Sequence, residues 1–243
     1  RLSLVGSEMC IRDRIGNVLL TLFRFQNGQY VSTGHQTRTD ATGRYSFGTS
    51  LGLMPGKYQI RESQPSDYVS VGAIPGLLQG TGPLGKTVAN DKDILIDIEI
   101  PLGDTHGTNL DFAEAQPVEI SGFVYHDLNN NGIKESGEEG IGGVDIQIVS
   151  ITTIGVPISR TVRTAADGSY ELVGLPPGVY RVVQSQPSGY IDGKDSLGRV
   201  NGQPRGTASN DLFSDIRLDG NESGLEYNFG ELLPASIAGT VYH

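Results

Sequence analysis

Tryptophan is absent from this chain of 243 residues, cysteine occurs once and methionine twice. A single thiol, Cys10, forms no disulfide within the chain, so a secreted form of it needs another kind of staple. No run of 18 apolar residues exists, which excludes a membrane-spanning helix. Basic residues are scarce, 18 Lys and Arg against 28 Asp and Glu, a net charge of -10. Nucleic acid and anionic membrane attract clustered positive charge, so neither is expected as a partner. Stripes of 3.6-residue period are missing too, and Gly 34 with Pro 12 are too many for a chain of long helices.

What is present is self-similarity. IGNVLLTL at 15–22 matches IGGVDIQI at 141–148, and TGRYSF at 42–47 matches DGSYEL at 167–172. LMPGKYQIRESQPSDY at 53–68 matches LPPGVYRVVQSQPSGY at 175–190. TVANDKD at 87–93 aligns with TASNDLF at 207–213, DFAE at 111–114 with NFGE at 228–231, and ISGFVYH at 120–126 with IAGTVYH at 237–243. Six blocks in one order, with drifting offsets, are the mark of a tandem array with loop insertions. The division expected is a first repeat over 15–117 without its opening strand, a complete second repeat over 118–234, and the opening strand of a third over 235–243. Residues 1–14 stand apart in composition and resemble translated sequencing-adapter read-through.

Period-2 alternation marks the strands. Val144, Ile146 and Ile148 alternate with Asp145 and Gln147, and Ile216 and Leu218 with Arg217 and Asp219. Strands are expected near 120–126, 144–151, 160–164, 169–173, 178–185, 213–218 and 225–230. They are separated by turn residues such as Asp167-Gly168 and Pro176-Pro177-Gly178. Seven short strands in about 110 residues describe a β-sandwich. The fold class is therefore all-β, tandem immunoglobulin-like or prealbumin-like sandwiches, with Tyr170, Tyr180 and Phe229 as an inward aromatic ladder.

The sharpest local signal is the run Asp127 to Glu138, which fits D-x-[DN]-x-[DN]-G-x5-E. Ca²⁺ needs six to eight oxygens at about 2.3–2.6 Å, and a tightly wound loop delivers them from alternate residues. The expected ligands are Asp127, Asn129 and Asn131 by side chain, Ile133 by carbonyl, Glu135 directly or through water, and Glu138 by two oxygens. The plainer reading is an Asn/Gly-rich connection that merely reverses the chain through Asx turns. The loop follows a strand, so the ion would be structural and would not open a helix pair.

The segments VYHDLNNNGIKESGEEGIGGV, DGSYELVGLPPGVYRVVQSQPSGY and YNFGE resemble the B-repeat (SdrD B-like) domains of serine-aspartate-repeat surface adhesins, part of the wider collagen-adhesin B-type sandwich group. The resemblance implies a bacterial, extracellular, Ca²⁺-stiffened stalk module in a large secreted or surface protein. It carries the six calcium ligands over by position and adds a weaker ion site at Asp192, Asp195 and Asp211, residues that equally suit a solvated surface. Some relatives form a Lys–Asn isopeptide bond promoted by a buried Glu. Glu62 lies at that position, but the second repeat has Gln184 there and no Lys in Ser121–His126, so the bond is rejected for that repeat and left open for the first. Glu62 is otherwise expected to be a hydrogen-bonded structural residue.

Catalysis is not expected. The histidines are His35, His106, His126 and His243, and the last two are equivalent copies within the array. Neither G-x-S-x-G nor a phosphate-loop signature occurs. The leading expectation is a non-catalytic stalk whose partners are neighbouring repeats. The competing classes are an adhesive module gripping an extracellular protein or glycan through loops 65–93 and 187–212, and an accessory domain of a secreted enzyme.

Overall fold

A computed structural model describes residues 14–80, 82–151 and 157–243, apart from the side chain of Ile151. The foreign-looking tail at 1–14 lies outside this range except for Arg14. The chain divides into two compact units, the first holding the residues up to Ser66 with Ser70–Glu114, the second centred on Ala115–His243. Among the described residues the only helix is one short 3₁₀ turn at Thr49–Leu51.

The first unit runs β1 (Leu19–Gln26), β2 (Gln29–Arg38), β3 (Gly56–Glu62), β4 (Val69–Ile74), β5 (Gly76–Leu78), β6 (Gly82–Leu84), β7 (Lys86–Val88), β8 (Asp91–Ile100), β9 (Gly107–Thr108) and β10 (Asp111–Ala115). The second runs β11 (Val118–His126), β12 (Asp145–Ile151), β13 (Pro157–Arg163), β14 (Ser169–Leu175), β15 (Gly178–Gln184), β16 (Ile191–Asp192), β17 (Arg199–Val200), β18 (Gln203–Pro204), β19 (Thr207–Ser209), β20 (Leu212–Leu218), β21 (Ser223–Leu225) and β22 (Phe229–Leu232).

Each unit contains the same five-stranded sheet. Its order is β2-β1-β3-β8-β7 in the first and β13-β12-β15-β20-β19 in the second. Even the irregularities repeat. Tyr58 faces Ile98 and Ile60 faces Leu95 across a bulge, as Tyr180 faces Ile216 and Val182 faces Phe213. The bulged residues Asp97 and Asp215 both adopt positive φ, 53° and 56°. This register corrects the ungapped alignment of 87–93 with 207–213: the residue two positions before Leu95 is Asp93, and two before Phe213 is Asp211. The turns after β7 and β19 are both two residues long; the extra residues lie in β8, where its pairing with β7 shifts register between Thr87 and Val88, and an ungapped match hides that.

The opposite sheet of the second unit is built on β11. It pairs antiparallel with β14 and parallel with both β21 and β22. The strand expected at 225–230 is thereby split. Ile120 pairs with Gly224 and Val124 with Phe229, so the partner side carries one extra residue, accommodated by Glu226 at φ 63°. In the first unit the described residues include no strand equivalent to β11. Tyr45–Phe47, which matches part of β14, accordingly forms no strand, and β10 pairs only with β4. Residues 235–243 carry no strand pairing, and Ile237, Val241 and Tyr242 are exposed.

The core of the second unit gathers Ile120, Val124, Ile146, Ile148, Tyr170, Tyr180, Val182, Phe213, Tyr227 and Phe229 among others. Phe229 contacts both Phe213, at 4.6 Å between ring centroids, and Tyr170, at 6.5 Å. Tyr180 is equally buried, but its hydroxyl reaches back to the Pro176 carbonyl. The aromatic ladder thus includes Phe213 and Tyr227, which alternation alone did not single out. Tyr170 donates its hydroxyl to the Tyr227 carbonyl and its counterpart Tyr45 to that of Leu110, whereas the buried Tyr125 hydroxyl has no hydrogen-bond partner.

Gly122 marks where β11 passes the 226–228 bulge. A Cβ there would lie 1.9 Å from the Tyr227 carbonyl oxygen. Gly122→Ala therefore forces the strands apart and is expected to cost about 1–3 kcal/mol, the usual penalty of overpacking. Urea unfolding of the variant checks this; an unchanged midpoint would contradict the packing described.

Candidate metal centre

Strand β11 delivers Asp127 to the end of the second sandwich. The loop that follows is closed at its base: His126 N–H donates to the Glu139 carbonyl, Ile141 N–H to that of Val124, and Tyr125 bridges Gly140. Asp127 N–H donates to the Glu231 carbonyl on β22, at 2.9 Å. Asp127 is fully buried, and Glu138 is only 7% exposed.

The side-chain oxygens turn inward in the order that the spacing implies. Asp127 Oδ2 accepts from Gly132 N–H at 2.7 Å and Oδ1 from Asn131 N–H at 3.2 Å. Asn129 Oδ1 accepts from Asn131 N–H, and Asn131 Oδ1 from Ile133 N–H. Glu138 spans the ring, with Oε1 accepting from Leu128 N–H and Oε2 from Glu135 N–H. Asn129 Nδ2 donates to Glu135 Oε2 at 2.7 Å. Gly132, at φ 78°, makes the sharp bend, and a Cβ on it would stand 3.3 Å from that of Lys194. Asp127, Asn129, Asn131, Glu135 and Glu138 thus belong to one hydrogen-bonded loop of hard oxygen donors, the type suited to Ca²⁺. The Ile133 side chain points out to solvent. The Asn130 Oδ1, buried and without a hydrogen-bond partner, is a further polar atom of the loop that the spacing did not mark.

Asp192, Asp195 and Asp211 also converge. Asp195 Oδ2 accepts from Asp211 N–H at 3.0 Å and Oδ1 from Gly230 N–H at 3.3 Å. Burial, and then the Asp192 charge, push the Asp195 carboxyl up to about 7. The residue that sequence reasoning missed is Glu231, fully buried between them and pushed up to about 7, again chiefly by burial. Gln184 Nε2 donates to both Glu231 Oε1 and Asp211 Oδ1, and Gln186 to Glu231 Oε2. The signal was present: Glu231 ends the matched block NFGE. Gly230 joins the two groups, since a Cβ on it would lie 3.4 Å from that of Asp127 and 2.5 Å from the Lys194 carbonyl.

The first unit holds a third acidic group. Glu62, Asp93 and Glu114 each bring one carboxylate oxygen within 4.8 Å of the other two. Among the described residues no other trio of acidic, histidine or cysteine side chains closes to that distance, including Asp127, Glu135 and Glu138. Glu62 is buried as expected, but its Oε2 has no hydrogen-bond partner, so the expectation of a satisfied structural residue is corrected. Desolvation, then the charges of Glu114 and Asp93, push Glu62 up to about 8.

These shifts share one sign. A carboxyl whose folded pKa lies above its unfolded value binds more protons in the native state, so stability is lost as pH rises through the folded value. For Asp195, Glu231 and Glu62 that window runs from about 4 to about 7–8. In buffer containing a chelator, the urea midpoint is expected to fall between pH 5 and pH 8. A flat profile over that range would contradict the burial described.

Residues 118–233 match the family model of the SdrD B-like domain. The chain is 28% identical over 231 residues to serine-aspartate repeat-containing protein D of Staphylococcus aureus (strain Newman), covering 93% of this chain and 15% of that protein. It is 30% identical over 187 residues to serine-aspartate repeat-containing protein F of Staphylococcus epidermidis (strain ATCC 12228 / FDA PCI 1200), covering 76% of this chain and 10% of that one. The chain therefore spans a small part of the length of these relatives. Among solved structures, the shaft pilin SpaA from Lactobacillus rhamnosus GG (E139A mutant) aligns over 97% of this chain and 95% of its own, at 11% identity and a TM-score of 0.35. With the sandwich fold, the closed acidic loop and the family-model match in place, residues 118–233 form an SdrD B-like domain.

Proposed function

We propose that this chain is part of an extracellular bacterial stalk, a non-catalytic row of β-sandwiches whose second unit is stiffened by Ca²⁺ bound in the loop 127–138. The observation that supports the reading is the loop's hydrogen bonding: a buried Asp127 and a buried Glu138 are held by backbone N–H groups of the same loop, which is anchored to β22 through the Glu231 carbonyl. Asp127, Asn129, Asn131 and Glu138 would supply side-chain oxygens, Ile133 its carbonyl, and Glu135 a direct or water-bridged one. A bound ion would offset the mutual repulsion of Asp127, Glu135, Glu138 and Glu139 and fasten the end of β11 to β22. Asp192, Asp195 and Asp211, with Glu231 behind them, form the weaker site. Family membership and the names of the relatives support a repeat module within a long surface protein, with neighbouring repeats as its first partners. No helix of the described residues is long and apolar enough to cross a membrane.

Extracellular calcium modules bind with affinities of about 10⁻⁴–10⁻³ M. Millimolar Ca²⁺ is about 1–10 times such a Kd, so binding stabilises the folded state by about 0.4–1.4 kcal/mol. The full chain is accordingly expected to melt several degrees higher in millimolar Ca²⁺ than in EGTA, with loop 127–138 resisting protease only in Ca²⁺. Asp127→Ala together with Glu138→Ala is expected to remove the protease response while the β-rich far-UV spectrum persists. Identical protection of the native loop in Ca²⁺ and EGTA would sink the reading.

A further inference from the structure

The two units solve the same electrostatic problem differently. By strand register Glu62 and Asp93 of the first unit, and by the matched blocks DFAE and NFGE Glu114, stand where the second has Gln184, Asp211 and Glu231. In the second unit the Gln184 amide nitrogen lies between the two acids and donates to both. In the first unit the same position is a carboxylate, which has no N–H to give.

We propose that the first unit binds a Ca²⁺ ion between Glu62, Asp93 and Glu114, with the Ser70 hydroxyl beside them. The site lies outside loop 127–138 and does not depend on it. Three observations carry it. The first is proximity: one oxygen from each of the three carboxylates lies within 4.8 Å of the other two, close enough to share one Ca²⁺ shell with bonds of about 2.3–2.6 Å. The second is Glu62, 7% exposed, whose Oε2 accepts no hydrogen bond. A buried carboxylate left this way costs free energy that a cation would recover.

The third observation is a count of protons. Ser70 Oγ sits at hydrogen-bonding distance from Gln64 Oε1, Asp93 Oδ1 and Glu114 Oε1, yet a hydroxyl carries one proton. At least two of those contacts therefore lack the Ser70 proton and need another proton or a cation between the oxygens. The Gln64 amide donates to Glu114 Oε2, and Lys92 acts favourably on Glu114 from a distance without forming an ion pair among the described contacts. The upward displacement of the Glu62 and Glu114 carboxyls, led by burial in both, agrees with a shortage of positive charge.

The test uses the full chain and radiolabelled Ca²⁺ in equilibrium dialysis at pH 7.5. Glu62→Gln installs the residue that the second unit already uses, so it suits the scaffold, and Asp93→Asn removes a second charge. The double variant is expected to bind one Ca²⁺ fewer per chain than the parent. The same loss is expected when both are compared in the background of Asp127→Ala and Glu138→Ala, which separates this site from the loop. Ser70→Ala, which keeps all three acids, is expected to weaken the site on the order of tenfold. An equal number of bound ions in parent and double variant, in either background, would overturn the proposal. So would an unchanged affinity in Ser70→Ala, the outcome expected if a shared proton alone satisfies the cluster.

Discussion

Carboxylates taken out of water without enough hydrogen-bond donors are the constraint around which these sandwiches are arranged. Asp127, Glu138, Glu231 and Glu62 are all buried. Each must meet an N–H or a positive charge, because a lone buried anion costs several kcal/mol. The second unit answers with backbone N–H groups around Asp127 and Glu138 and with glutamine amides around Glu231. The first unit has exchanged a glutamine for Glu62 and is short of donors as a result. The hydrophobic core makes the sandwich, but the acids at its end determine what it can bind.

Strand β11 connects that chemistry to the fold. It pairs with β14 along one edge and with β21 and β22 along the other, and its last residue leads directly into Asp127. An ion held by the loop would therefore act on the central strand of a sheet, where a local restraint is felt by every neighbour. A loop attached to an edge strand would restrain only itself. The same logic explains Gly122: β11 runs so close to the Tyr227 carbonyl that no side chain fits, and that proximity keeps the split strand in register.

Much of this was legible in the residues. Alternation located the strands because a half-buried strand must place apolar groups at every second position, as Val144, Ile146 and Ile148 do. Spacing marked the loop as a candidate, because a cation shell would need oxygens at alternate residues. What alternation did not mark were the breaks: the single extra residue at Glu226, the repeated bulges at Asp97 and Asp215, and the short strands β16 to β19 inside the long loop. These are decided by pairing partners far away in sequence, which no local pattern encodes.

The sequence by itself determined the repeat, the all-β class and the identity of the loop acids, since these follow from periodicity and composition along one stretch of chain. Only the tertiary structure decided which acids share an environment. Glu231 became important when Gln184, Gln186 and Asp211 were folded around it, and Glu62 when Asp93 and Glu114 closed on it from strands that the sequence separates by 31 and 52 positions. The physical reason is that burial and like-charge proximity belong to the packed state: a carboxylate in the unfolded chain is solvated whatever its neighbours, and only register and sheet order take the water away.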